Sequence, residues 1–511
     1  MAPRHNDKIV AADGKSIQPH TSWANYAAIL PITLGSFLYG YTSNVISGAL
    51  ALPSFIDKFL LVNGPAISGG ILGVFLGGGV IGAMVQGPVS TRYGRRLGMC
   101  LGAFFLVLGS ALTAGAINLA MFLVGRGLAG IGSSIAFTIA PVYISELSAA
   151  HARGFMVSFH IVALNSGYLI SACASLGFSY VNHPIQWRLN FVINAAVSLL
   201  LMLSILLVPE SPRWLAVKSR HDEALKILEK LHKSTNDPDN RLAKAEMYQI
   251  REQVRAESEL PRGYLHILKT PSLRKRALCT MIVWLGCQST GVLVIAFLNP
   301  TLFAGLGYGS TTQFGLSVAW FVACILGGAL GGMLVDRFGR TLFMFIGTLC
   351  CLVCLVCETA IQARFLNTSN KPGLSAGVAF IFFFGFLYNF FYDVGSFVYT
   401  AEIWPSHLRS EGVTIAMVTF YCCSIAYVTP STVAFATIGW KYYLVFIVLT
   451  TVMAAAVYFI LPESAGLTLE EMCMQFGETP VVLFRDIAEE KAGPEAVMVE
   501  NVNDNKEALT D

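Results

Sequence analysis

Asn389, Asp393 and Phe397 stand four residues apart in a long apolar stretch. On a helix that spacing puts all three on one face. An acid inside an apolar run is costly to keep there and tends to be functional. Asp393 is the only acid read deep within any such run, and three roles are open to it. It could accept a proton, hold a hydrogen-bonding solute, or pair structurally with Arg126 or a neighbouring hydroxyl. Asn389 and Phe397 would then flank it as binding groups. A second candidate cluster is His160 with Asn165, also in an apolar run. Histidine titrates near neutral pH and suits a proton relay, but a buried structural histidine is the commoner case. Thr42 and Asn44 could bind hydroxyl groups. Tyr388, Tyr392 and Tyr421 could stack on a ring or simply pack.

The elements that must position these groups are written twice. Tyr143, Glu146, His151 and Arg153 in YISELSAAHARG recur as Tyr399, Glu402, His407 and Arg409 in YTAEIWPSHLRSEG. GPVSTRYGRR at 87–96 matches GMLVDRFGRT at 332–341, and Pro209-Glu210-Ser211 matches Pro462-Glu463-Ser464. Each phrase borders a hydrophobic run. Arginines there can reach carboxylates and exposed carbonyls at neighbouring helix ends. Arg92, Arg95, Arg153, Arg337, Arg340 and Arg409 are expected to meet Glu146, Glu210, Glu402 and Glu463. Such a set would clamp the two halves of the chain together on one face.

Only 13% of the 511 residues are charged and 55% are hydrophobic, against about 25% charged in soluble domains. A helix needs about 20 apolar residues to cross a bilayer. Twelve spans are predicted, near 26–48, 66–86, 97–116, 119–141, 155–177, 188–208, 277–298, 313–334, 342–362, 375–398, 413–435 and 442–461. The expected fold is an all-α membrane protein of twelve transmembrane helices. They form two six-helix pseudo-symmetric bundles, 26–208 and 276–461. A charged helical linker, 209–275, joins them between a polar N-terminal tail, 1–25, and a C-terminal tail, 462–511. Arg92, Arg95 and Arg96 lie without a neighbouring acid in the 2–3 loop. The positive-inside rule puts that loop, the linker and both termini in the cytosol. The 9–10 loop, with the sequon Asn367-Thr368-Ser369, then falls outside. The formal charge of +3 gives no reason to expect nucleic acid. Cys350, Cys351, Cys354 and Cys357 sit among Leu, Val and Phe and read as small apolar residues, not metal ligands.

The chain resembles the sugar porter family of the major facilitator superfamily. The motifs are GRGLAGIGSS at 125–134, PVYISELSAAHARG at 141–154, PESPRWL at 209–215, DRFGR at 336–340, AEIWPSHLRSEG at 401–412 and PESAGLTLEEM at 462–472. FLYNFFYDVG at 386–395 is similar to fungal members. The resemblance implies the two-bundle fold, secondary transport and a central sugar pocket. It also implies specific departures. Thr42 stands where proton-coupled members carry an Asp, while its partner Arg126 remains. Ile161 replaces a sugar-binding Gln, and the QQ pair reads Cys287-Gln288, leaving Gln288 as the matching ligand. Leu293 replaces an Asn, Tyr421 or Cys422 another, and Phe397 a Trp. Thr91 replaces the acid of the first arginine motif, and Asp336 keeps it in the second.

The functional expectation is a secondary transporter of a sugar or sugar-like solute, as facilitator or proton symporter, acting as a monomer in a plasma membrane. The alternatives are a carrier of another organic metabolite, such as an organic acid, or a nutrient sensor. No H-E-x-x-H or P-loop occurs, so neither enzymatic chemistry nor a cofactor is expected. The expected partners are a small solute, with or without protons, and lipid.

Overall fold

The computed structural model describes residues 9–10, 16–17, 23–148, 153–232, 240–258, 260–365, 368, 370–465, 472 and 474–477. Six long helices form the first half: α1 (Trp23–Ala51), α2 (Gly64–Tyr93), α3 (Arg95–Ala114), α4 (Leu119–Leu147), α5 (Arg153–Ser179) and α6 (Gln186–Ser204). Four shorter helices follow, α7 (Pro212–Val217), α8 (His221–Leu231), α9 (Arg241–Ser258) and α10 (Tyr264–Lys269). The second half has α11 (Pro271–Ser289), α12 (Val292–Gly305), α13 (Ser310–Phe338), α14 (Arg340–Phe365), α15 (Lys371–Leu387), α16 (Val394–Ile403), α17 (Arg409–Thr437) and α18 (Tyr443–Ile460). The strands among the described residues are two antiparallel pieces of two residues, Ile9–Val10 and Ser16–Ile17.

Among the described residues, eleven helical segments are long and apolar enough to cross a membrane. With α1, at 29 residues, they fill the twelve expected places. Two spans are discontinuous. Span seven, Pro271–Gly305, breaks between α11 and α12 at Gly291, whose φ of +78° suits glycine. In span ten, α15 passes into a π-helical segment, Tyr388–Asp393, before α16 resumes. Single π turns inside helices recur at functional sites.

Two surfaces decide how the helices sit. Outward-facing positions are large and apolar, including Leu199, Leu200, Leu203, Val448, Val452 and Phe459. So large an exposed apolar area belongs against lipid, not water. Between helices, small residues bring backbones together. Gly78 and Gly82 of α2 lie against the Gly127 and Ile131 carbonyls of α4, and Gly130 of α4 lies against the Phe75 carbonyl. Lipid supplies no hydrophobic drive between helices, so such close packing carries the association.

The connecting helices form a small core of their own from Leu215, Ala216, Ala224, Leu228, Ala243 and Met247. Leu228 is buried with Leu225 packed beside it, as the spacing in α8 predicts. Arg213 joins α7 to α9 through both oxygens of Glu257, at 2.7 and 2.9 Å. His232 meets Glu246 at 2.5 Å.

A Cβ added at Gly130 collides with the α2 backbone, whereas one at Gly70 meets nothing within 4 Å. Gly130→Ala should therefore lower the melting temperature of the purified protein, at a cost of about 1–3 kcal/mol for overpacking. Gly70→Ala should leave it unchanged or raise it, as read by thermal unfolding in detergent.

Candidate functional site

The two broken spans meet at a central cavity of about 90 Å³ between the halves. Its polar lining includes Asn165 from α5, Gln288 from the end of α11, and Asn389 and Asp393 from the π segment. Irregular backbone at membrane depth is tolerated where it lines such a cavity. At the break, the Gly291 N–H donates to the Gln288 carbonyl at 3.0 Å. The Thr290 hydroxyl donates to the Cys287 carbonyl at 2.8 Å. The turn is thus satisfied locally, and Gln288 stays where the chain changes direction.

Phe397 forms part of the wall toward the face that carries the arginine phrases. Its ring lies 5.0 Å from Trp284, 6.3 Å from Phe137 and 6.2 Å from His160. Toward the opposite face, the Ser47 hydroxyl donates to the Ala296 carbonyl at 3.4 Å, joining α1 to α12. A cavity of about 150 Å³ holds a benzene ring. At about 90 Å³ this one is smaller than that.

Five of the seven expected binding residues line the cavity: Gln288, Asn389, Asp393, Phe397 and Asn165. Two do not. Thr42 is buried in the first half, its hydroxyl donating to Asn194 Oδ1 at 3.0 Å and its carbonyl accepting from Arg126 at 3.0 Å. A threonine short enough to pack between α1 and α6 is turned away from the solute path. Tyr421 lies with its ring on Gly79 of α2. The missing Cβ at Gly79 makes the seat, so the tyrosine fills the contact between α17 and α2. Its neighbours Met417 and Phe420 reach the cavity instead.

The proton candidates separate in the same way. His160 Nδ1 is 2.6 Å from the Ser36 hydroxyl, and its ring lies 5.0 Å from Phe137, a structural setting. Arg126 is 1% exposed and stacks 4.2 Å over the Phe75 ring. Its Nε and Nη2 have no hydrogen-bond partner among the described residues. No ion pair joins it to Asp393, so the structural pairing considered for those two is not formed. Asp393 is the one charged residue among those that line the cavity. It is not the only deep acid: Glu358 in α14 is 3% exposed and accepts from Gln362 at 2.7 Å. Glu358 falls four residues before the end of the span expected over 342–362.

The sequence reading passed over the aromatic walls, among them Trp284, Trp320, Phe137 and Phe420. In an apolar span an aromatic residue gives no signal that separates lining from packing.

On the arginine face, both copies of the repeated phrases build the same clamp. Arg95 grips Glu146 through two bonds of 2.8 Å. Arg340 grips Glu402 at 3.2 and 2.9 Å. Glu210 accepts the backbone N–H groups of Arg95 and Arg96 at 2.9 and 3.2 Å, sealing the start of α3. Glu463 accepts those of Arg340 and Thr341 at 2.7 and 3.1 Å, sealing the start of α14. A carboxylate at a helix N-terminus is favoured by the helix dipole. A Cβ at Gly94 or Gly339 would strike Glu210 or Glu463, so each seat requires glycine.

These pairs correct the expected lock between halves: each joins residues of a single half. Arg92 is exposed beside the Tyr93 ring, 5.4 Å from its centroid. Arg409 opens α17, half buried. The side chains of Arg153 and Arg337, and all of Asn367, lie outside the described residues. Neutral contacts cross between the halves among the described residues. Gln86 donates to Thr414 at 3.1 Å, Thr432 donates to the Pro65 carbonyl at 2.6 Å, and Tyr168 stacks on Phe321 at 5.5 Å.

The two seats differ in charge balance. Burial raises the Glu210 pKa above the usual carboxyl value, only partly opposed by N–H groups of Ser211, Arg95 and Arg96. Burial acts likewise on Glu463. There the Thr341 hydroxyl and the N–H groups of Ala465, Arg340 and Thr341 outweigh it, so that pKa is lowered. A depressed carboxyl contributes stability above its unfolded pKa and loses it as pH falls through the folded value. A raised one contributes fully below its unfolded pKa and loses that as pH rises. Glu463→Gln should therefore cost about 1 kcal/mol at neutral pH and less in acid. Glu210→Gln should cost less at neutral pH. Thermal melts of both variants across pH check this.

The whole arrangement has known counterparts. A family model described as "Sugar (and other) transporter" matches residues 28–476. "MFS-type transporter criB" of Aspergillus cristatus is 29% identical over 448 residues, 87% of this chain and 92% of that protein. "MFS glucose transporter mfs1" of Aspergillus flavus is 28% identical over 472 residues, 86% of this chain and 87% of that one. Among solved structures, the proton:xylose symporter XylE of E. coli, bound to 6-bromo-6-deoxy-D-glucose, superposes with a TM-score of 0.75 at 23% identity. That match covers 89% of this chain and all of the other. It shares the two-bundle fold seen here. Matched by the model over all twelve spans, this multi-pass membrane protein belongs to the sugar (and other) transporter family.

Proposed function

We propose that the chain carries a sugar or sugar-like small solute across a plasma membrane by alternating access, as a facilitator or proton symporter. The carrying observation is the cavity between the halves, built on two interrupted spans and edged by Gln288, Asn389 and Asn165. Interrupted helices around a site at mid-membrane are what a rocking carrier requires. The relatives named for sugars support the same reading. The arginine face, with Arg92, Arg95 and Arg96, is assigned to the cytosol by the positive-inside rule. Both termini and the connecting helices α7–α10 follow it, and the Asn367 sequon falls outside. The chain works as a monomer, because each half supplies part of one cavity.

A second reading, a non-sugar organic metabolite, draws on one observation. Leu293, at a position where the resemblance implies a sugar-binding amide, lines the cavity as an apolar group beside many aromatic rings. A solute with fewer hydroxyls and more apolar surface would fit such walls.

Uptake of labelled sugars by a transport-deficient yeast strain expressing the chain separates these readings. Gln288→Ala and Asn389→Ala should each slow uptake about three- to tenfold, the worth of one hydrogen bond. Full rates in both variants, at wild-type surface expression, would remove these amides from the solute's path. No uptake of any sugar, with transport of another metabolite, would favour the second reading.

A further inference from the structure

The cavity has a consistent polarity. Asn389 directs its Nδ2 to the Gly385 carbonyl at 2.8 Å, and Asn165 directs its own to the Ile161 carbonyl at 3.1 Å. One N–H of each amide is thus tied to its own helix, while neither amide oxygen accepts from another described residue. The indole N–H of Trp284 is spent on Thr400 at 2.9 Å, and that of Trp320 on the Ile381 carbonyl at 3.0 Å. The tryptophans therefore offer carbon faces. The Tyr388 hydroxyl is engaged with Cys287 at 2.6 Å. The Gln288 amide lies 3.2 Å from the same sulfur. Part of the donor capacity is thus taken, while the amide oxygens of Asn389 and Asn165 remain as acceptors.

Charge points the same way. Asp393 lines the cavity, and no Lys, Arg or His joins it there. Its carboxylate makes no hydrogen bond or ion pair with another described residue. Arg126, a buried cation outside the cavity lining, is held on the Thr42 carbonyl and the Phe75 ring. Around Asp393 stand aromatic faces set nearly at right angles, with Trp284 against Phe397 at 85° and against Phe420 at 86°. Aromatic faces attract cations, and most strongly where water is excluded. An anion would meet Asp393 and ring faces, both of them negative.

We propose that the site selects solutes bearing a protonated amine beside a flat apolar ring face, the amine pairing with Asp393, and that it rejects carboxylates. This rests on the cavity being the transport site, as proposed above, and narrows the solute class within it. Among non-sugar metabolites it removes organic acids. Among sugars it favours amino sugars over neutral and acidic ones.

Two matched series test it on the full-length protein in detergent, with Trp284 and Trp320 fluorescence as the binding signal. One is D-glucosamine, D-glucose and D-glucuronate; the other is phenethylamine, 2-phenylethanol and phenylacetate. All are measured at neutral pH, where the amines are mostly protonated and both acids are ionised. In each series that binds, the amine should bind about tenfold or more tighter than the alcohol, the scale of one charge-assisted hydrogen bond over a neutral one. The acid should bind weakest. Asp393→Asn should bring amine and alcohol to within about twofold of each other. An acid that binds as tightly as its amine overturns the proposal, and so does an amine preference that survives Asp393→Asn. Silence from both series overturns it as well. The aromatic series showing the predicted order while the sugar series is silent would uphold this charge selection and defeat the sugar reading. Because the order is read first on the unmutated protein, poor folding of the variant would not blunt the test.

Discussion

A carboxylate seated on the first turn of a helix organises each half of this molecule. Glu210 and Glu463 hold the N-termini of α3 and α14, while Arg95 and Arg340, which open those helices, reach across to Glu146 and Glu402. Each set ties three spans of one half into a unit at the arginine face. Charge-assisted hydrogen bonds of this kind are directional and stronger than neutral ones. They give each half the rigidity to move as one body. Between the halves, the described residues supply neutral amide and hydroxyl contacts, stacked rings and glycine-backed close approaches. Such contacts can be exchanged for similar ones after a small rotation, at little net cost. The molecule is stiff where it must keep its shape and yielding where it must rock.

The cavity follows from that division. A span that crosses a bilayer must satisfy its own backbone, and an unbroken helix does this automatically. Gly291 and the π turn at Tyr388–Asp393 interrupt two helices at the same depth. The interruption places Gln288, Asn389 and Asp393 around one space, with aromatic side chains filling the rest. A small, aromatic-walled cavity stores no large void that lipid-facing packing would have to support. It opens when the halves separate.

Much of this was readable in the chain. The twelve spans and the doubled phrases stood out because charge is rare in an apolar sequence, and a polar phrase there can be aligned with its copy. The helix-sharing trio Asn389, Asp393 and Phe397 does line the cavity, since spacing by fours survives the π turn well enough to keep one face. The partners of the charges were harder. Identical phrases in two halves are consistent with pairing within or between halves, and sequence cannot tell which carboxylate a given arginine meets. Tyr421 was misplaced because its destination depends on a glycine in another helix, Gly79, and not on its own neighbours. Thr42 was misplaced for a like reason, its hydroxyl being claimed by Asn194 across 152 residues. The break at Gly291 did carry a signal, a Ser-Thr-Gly run inside an apolar span, which was passed over as part of a continuous helix.

Rigid halves joined by an exchangeable interface make a direct statement about distances. Spin labels at Tyr93 and Phe338, both exposed at the arginine face on opposite halves, report the movement between halves. Labels at Tyr93 and Leu207, both exposed within the first half, report movement inside one. Double electron–electron resonance on the protein in lipid nanodiscs, with and without a transported solute, should show the first distance redistributing by several ångströms while the second stays fixed. A fixed distance between halves, with a shifting distance inside one, would contradict it.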